Sequence, residues 1–109
     1  MNGNSTTPFQ QRVYAALCRV PAGRVTTYGL LAQHLRCRSA QAVGQALRRN
    51  PFAPQVPCHR VIAADLRIGG FSGERAGAQI QRKLRLLAEE GVRFDAEGRL
   101  ADAQQVFRF

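Results

Sequence analysis

Apolar residues recur at three- and four-residue steps from Pro8 onward, with Phe9, Val13, Ala16, Leu17 and Val20 on one side of an ideal helix. The spacing predicts a first helix from Pro8, closed by Pro21-Ala22-Gly23. The stretch before it, residues 1–7, is polar and reads as frayed. Val25-Thr26-Thr27 is β-branched, and either threonine can cap a second helix from Tyr28 to about Leu35. Leu30, Leu31 and Leu35 would face the first helix. After a short connection, Arg36-Cys37-Arg38, Ser39 is a good N-cap for a third helix reaching about Arg49. Its buried stripe is Ala42, Val43, Ala46 and Leu47, which leaves Gln41, Gln45, Arg48 and Arg49 outside. Two short helices joined by a turn, the second lined with Gln and Arg, read as a helix-turn-helix.

Asn50 to Pro57 carries three prolines in seven residues and cannot be helical, so it forms a stiff extended loop that delivers Cys58-His59-Arg60. Val61-Ile62-Ala63 reads as a short strand, and Gly69-Gly70-Phe71-Ser72-Gly73 as a loop whose backbone could approach a ligand closely. A last helix runs from about Ala76 to Glu89 with Ile80, Leu84, Leu87 and Ala88 on one face, and Gly91 stops it. The tail carries Phe94, Leu100, Val106, Phe107 and Phe109 and is expected to pack back on the core. These elements predict a mainly α, winged-helix-like domain with a helix-turn-helix and a short β element, one domain over residues 1–109.

Charge changes the picture. Of 109 residues, 16 are basic and 7 acidic, a formal +9, and all the basic ones except Lys83 are arginine. Such an excess favours polyanion partners through counterion release. A GC-rich genome would write arginine for lysine, but would not remove the acids. No apolar run approaches the roughly 18 residues of a membrane span, and the N-terminus lacks the pattern of a signal peptide. A monomeric cytoplasmic protein is the expectation. Cys18, Cys37 and Cys58 are expected as free thiols, and the absence of metal-ligand spacing argues against zinc and against any cofactor.

The chemical centre is Cys58 directly before His59. A free thiol is a weak nucleophile at neutral pH and needs a base or a positive field to become thiolate. His59 can supply the base through a bent backbone or a bridging water, and Arg60 adds positive field if it turns inward. A carboxylate must then orient the imidazole, and Glu89 and Glu90, at the end of the last helix, are the pair nearest to hand. On the dipeptide alone, a buried small cysteine beside a satisfied core histidine is the better reading.

The wider pattern is more specific. Thr26-Thr27-Tyr28-Gly29, Ala42-Val43-Gly44-Gln45-Ala46, Arg48-Arg49-Asn50-Pro51, Val56-Pro57-Cys58-His59-Arg60-Val61-Ile62, a Gly-Phe-Ser-Gly loop and Glu90-Gly91 together resemble the alkylguanine-DNA alkyltransferase family. The resemblance runs from about Phe9 to Val92 and corresponds to that family's C-terminal, DNA-binding and catalytic domain. It implies that Cys58 accepts an alkyl group from oxygen-6 of guanine in double-stranded DNA, irreversibly and once per molecule. His59 would be the water-linked base, Glu90 its orienting carboxylate, and Asn50 the hinge that ties the helix-turn-helix to the active-site turn. Tyr28 would protonate the leaving guanine and press on the adjacent phosphate, while Phe71 and Ser72 would contact the flipped base. The third helix, with Gln41, Ala42, Gly44, Gln45 and Arg48, would enter the minor groove, and Arg60 would join the DNA-contacting set.

The sequence departs from the family in three respects. It holds no counterpart of the usual N-terminal supporting domain. Fixed spacing from Asn50 puts Gln41 where an arginine usually fills the gap left by the flipped base. Its size and its Val106-Phe107-Arg108-Phe109 end resemble the alkyltransferase-like proteins, which bind alkylated guanine and recruit nucleotide-excision repair proteins without transferring anything. Those relatives replace the acceptor cysteine, whereas this chain keeps Cys58, so suicidal transfer and damage sensing both stand as readings. A redox sensor pairing Cys58 with Cys18 or Cys37 would need two thiols close enough to bridge. Cys18 reads instead as a core residue, and His34 as a helix-surface residue.

Overall fold

Thr7 closes the N-terminus of helix α1 (Pro8–Leu17) in a capping box in the computed structural model, which describes residues 6–53, 55–69 and 77–109. The Thr7 hydroxyl accepts from the Gln10 backbone at 3.1 Å, and the Gln10 side chain accepts from the Thr7 backbone at 3.0 Å. Thr6 accepts from the Gln11 side chain at 3.2 Å. The expected fraying is therefore corrected for these two threonines; the rest of that stretch lies outside the described residues. Val13, Ala16, Leu17 and Val20 are buried as patterned. Tyr14 is buried beside them, and its hydroxyl donates to Ala46 O at 2.7 Å, which pins α1 to the third helix. Cys18, expected in the core, is exposed: it is the C-cap of α1, one helical step off the stripe.

Helix α2 (Tyr28–His34) begins where Thr27 accepts from Leu30 N at 3.1 Å. Leu31 and Leu35 are buried as expected, while Leu30 is only half-buried. Arg36, at φ 55°, ends the helix with Arg36 N donating to Gln33 O and Cys37 N to Ala32 O. This is a Schellman turn with arginine where glycine is usual. Ser39 then accepts from Ala42 N at 3.0 Å and caps α3 (Ala40–Arg48), a contact worth about 1 kcal/mol. Val43, Ala46 and Leu47 pack inward against α1 and α2.

Strands β1 (Thr26–Thr27) and β2 (Val61–Ile62) pair in parallel, Thr26 opposite Val61 and Thr27 opposite Ile62, with α2 and α3 inside the crossover. Successive strand residues face opposite sides. Val61 accordingly joins the cluster of α1, α2 and α3, and Ile62 joins a second cluster with Val25, Leu87, Val92 and Leu100.

Helix α4 (Ala78–Glu89) starts after Gly77, whose φ is 84°; the expected start at Ala76 lies outside the described residues. Gly91, also at φ 84°, ends it as expected, with Val92 N donating to Leu87 O at 2.9 Å. The anticipated buried face needs correction. Ile80 and Leu87 are buried, Leu84 and Ala88 are half-buried, and the fully buried residue between them is Lys83. The tail packs back: Val106 bridges Val25, and Phe107 and Phe109 lie against the first cluster. His34 is exposed at the helix surface and stacks on Phe109 at 4.4 Å.

Candidate active site

Asn50 follows α3 and organises the proline-rich turn. Its side-chain amide donates to Val56 O at 2.9 Å, and its carbonyl accepts from Phe52 N at 2.9 Å. One residue thus closes the turn at two points and couples the end of α3 to the approach of Cys58. Cys58, half-buried, opens a single 3-10 turn, Cys58–Arg60, with its backbone N–H on Val56 O and that of Arg60 on Pro57 O. The turn supplies the bent backbone that neighbours in sequence need if both are to serve one site.

His59 is 4% exposed, and its Nε2 meets Glu90 Oε2 at 3.0 Å. Burial lowers the His59 pKa and outweighs the hydrogen bond and charge of Glu90, so the imidazole is neutral at pH 7. For Glu90, burial alone would raise the pKa, but the hydrogen bonds from Arg60 and His59 together bring it below the usual carboxylate range. An ionised carboxylate only accepts, so Nε2 carries the hydrogen and Nδ1 keeps the lone pair. The hydrogen bond holds the neutral imidazole in one tautomer. Glu90, and not its exposed neighbour Glu89, is the carboxylate, because the C-cap of α4 turns it inward.

Arg60 was expected on the DNA side, and the structure places its guanidinium elsewhere. Nε and Nη2 donate to the two Glu90 oxygens at 2.9 and 2.7 Å, and Nη1 donates to Val20 O at 2.7 Å. All three bonds point into the protein, because the 3-10 turn aims Arg60 at the end of α4. The inward turn pairs the guanidinium with Glu90, and its charge also disfavours the protonated form of His59.

Tyr28 is the first residue of α2 and half-buried. On α3, Gln41, Gln45 and Arg48 are exposed, and Ala42 and Gly44 are half-buried. A β-carbon added to Gly44 would meet nothing within 4 Å. Phe71 and Ser72 lie outside the described residues.

Sequence reasoning missed Lys83. It is 0% exposed, and its ammonium donates to Val61 O at 2.7 Å and to Ile68 O at 2.6 Å. Burial pulls its pKa down to about 7, and the charge of Cys58 pulls the other way. The signal was present: Lys83 stands at a stripe position between Ile80 and Leu87, and it is the chain's single lysine. Among the described residues no cluster of His, Cys, Asp and Glu could hold a metal ion, and no helix is long and apolar enough to cross a membrane.

Residues 8–92 match the family model described as the DNA-binding domain of 6-O-methylguanine DNA methyltransferase. The methylated-DNA–protein-cysteine methyltransferase of Thermococcus sibiricus is 46% identical over 89 residues, which is 81% of this chain and 47% of that protein. The chain spans about half the length of the curated relatives it matches. The crystal structure of O6-methylguanine-DNA methyltransferase from Pyrococcus kodakaraensis superposes with a TM-score of 0.70 at 46% identity, covering 80% of this chain and 48% of that one. S. pombe Atl1, in complex with damaged DNA containing O6-carboxymethylguanine, superposes with a TM-score of 0.78 at 31% identity, covering 97% and 100%. With the Pro-Cys-His-Arg turn, the His59–Glu90 dyad and the helix-turn-helix in one fold, this chain belongs to the 6-O-methylguanine DNA methyltransferase family, through its DNA-binding domain.

Proposed function

We propose that this protein repairs alkylated DNA by binding the minor groove of the duplex with α3, flipping out 6-O-alkylguanine and moving the alkyl group irreversibly to Cys58. The observation that carries the proposal is the buried His59–Glu90 dyad next to Cys58, which supplies a neutral base in a fixed tautomer. His59 draws the thiol proton through an intervening water. The thiolate sulfur then bonds to the alkyl carbon, the carbon–oxygen bond breaks, and its electron pair leaves with guanine. Tyr28 donates the proton that lets guanine depart as a neutral base. Asn50 holds the turn that presents Cys58. Gln41, Ala42, Gly44, Gln45 and Arg48 face the groove, and Phe71 and Ser72 meet the flipped base. The protein works as a monomer in the cytoplasm, whose reducing conditions keep Cys58 a free thiol.

A second reading is favoured by one observation. Atl1, seen on damaged DNA, is matched over its whole length, whereas the methyltransferases are matched over about half of theirs. On that reading the protein senses alkylguanine, hands it to nucleotide-excision repair and leaves Cys58 unreacted. Intact-protein mass after incubation with a duplex carrying one 6-O-methylguanine separates the two. Transfer adds one methyl to the wild type and none to Cys58→Ala. Selective binding of the lesion duplex with no added mass selects the sensor.

A further inference from the structure

Arg36 stands at the turn between α2 and α3 with a φ of 55°, a left-handed conformation that strains an L side chain and leaves glycine unstrained. The hydrogen bonds of the turn run through backbone groups, Arg36 N to Gln33 O and Cys37 N to Ala32 O, so the turn asks nothing of the arginine side chain. That side chain is exposed and makes no hydrogen bond or ion pair among the described residues. A cation is useful at a helix C-terminus, but the end of α2 already has one, because Arg12 Nη2 donates to Leu35 O at 2.7 Å. Arg19 Nη1 lies 3.4 Å from His34 Nε2 at the same helix end, and Arg38 is exposed two residues beyond Arg36. The first acidic residue of the chain is Asp65. Among the described residues, Arg60 is the one arginine before it that reaches a carboxylate, that of Glu90. The turn therefore collects cations that repel one another with no described carboxylate to oppose them.

We propose that this turn is a phosphate anchor, in which Arg36 grips a backbone phosphate of the duplex outside the lesion pocket, an assignment that rests on α3 being the groove helix. Ser39 caps α3 directly after the turn. With α3 in the groove, the turn stands against the groove wall, which is the phosphate backbone. A guanidinium matches a phosphate with two parallel hydrogen bonds, and the bound anion relieves the repulsion among Arg12, Arg36 and Arg38. Glycine would make the less strained turn, whereas arginine gains from an anion at that place. A phosphate carries neither sequence nor lesion, so the contact strengthens binding of damaged and undamaged duplex alike.

The test uses substitutions that spare the backbone. Arg36→Gly removes the charge and the strain together, and Arg36→Asn removes the charge with a residue that tolerates the left-handed region. Both should melt at or above the wild-type temperature. Fluorescence anisotropy over a series of salt concentrations then compares a duplex carrying one 6-O-methylguanine with the same duplex unmodified. Both variants should bind both duplexes about fivefold to tenfold more weakly near about 0.1 M salt, with the slope of log affinity against log salt smaller by about 0.9. Arg36→Lys, which keeps the charge, should restore most of the affinity and the slope. Wild-type affinity and slope in Arg36→Gly overturn the anchor and leave duplex binding by α3 standing. A loss confined to the lesion duplex also overturns it, since it moves Arg36 into the lesion pocket. A wild-type protein that binds neither duplex overturns both the anchor and the reading it rests on.

Discussion

His59 and Glu90 meet at 3.0 Å from positions 31 residues apart, and their meeting decides which imidazole nitrogen is free to act. Nε2 is tied to the carboxylate, so Nδ1 keeps the lone pair, and in the proposed transfer it is the base. Glu90→Gln keeps an oxygen at that place but can present its amide to Nε2 instead, and it removes the charge that Arg60 pairs with. Methyl transfer should slow on the order of 100-fold, and stability should fall by about 1–3 kcal/mol. Single-turnover rates by mass and urea denaturation check the two effects separately.

Asn50 joins two backbone points, Val56 O and Phe52 N, across the turn that carries Cys58. Asn50→Ala abandons both bonds, and a loss of about 1–3 kcal/mol is expected in urea denaturation. Transfer should slow by more than lesion binding weakens, because the displaced element is the thiol and not α3. Equal losses in the two would mean that the turn supports α3 instead.

Gly44 lies inside α3 with open space where a side chain would stand. Glycine costs a helix interior about 0.5–1 kcal/mol relative to alanine, and nothing within the described fold requires it. Gly44→Ala should therefore raise the melting temperature and weaken duplex binding, since the added methyl enters the groove contact. Tighter or unchanged binding of the stabilised variant would put the DNA on another face.

Stability should rise with pH above neutrality. Lys83 has a folded pKa of about 7 against an ordinary 10.5, so between those values the unfolded chain holds the proton that the folded chain lacks. The gain is bounded by about 1.4 kcal/mol per pH unit. A gain of about 1–2 kcal/mol from pH 7 to pH 9 is expected in urea denaturation, and it should vanish in Lys83→Met. Towards acid the slope keeps its sign. His59 and Glu90 both have lowered pKa values in the folded state, so stability is lost first below the ordinary histidine range and then below the carboxylate range.

Much of this protein was determined locally. The stripe Val13-Ala16-Leu17-Val20, the caps Thr27 and Ser39, the stop at Gly91 and the stiff loop before Cys58 all depend on residues within a turn or two of one another, so periodicity and turn chemistry disclose them. The Cys58–His59 centre was legible for the same reason. Tertiary structure decided what depends on distant meetings. It chose Glu90 over Glu89 by turning the end of α4 onto the 3-10 turn, and it drew Arg60 off the surface onto that carboxylate. It also buried Lys83 under β2, against the rule that charges stay outside. Neighbours in sequence predict a residue's conformation, whereas burial and charge depend on what the fold packs around it.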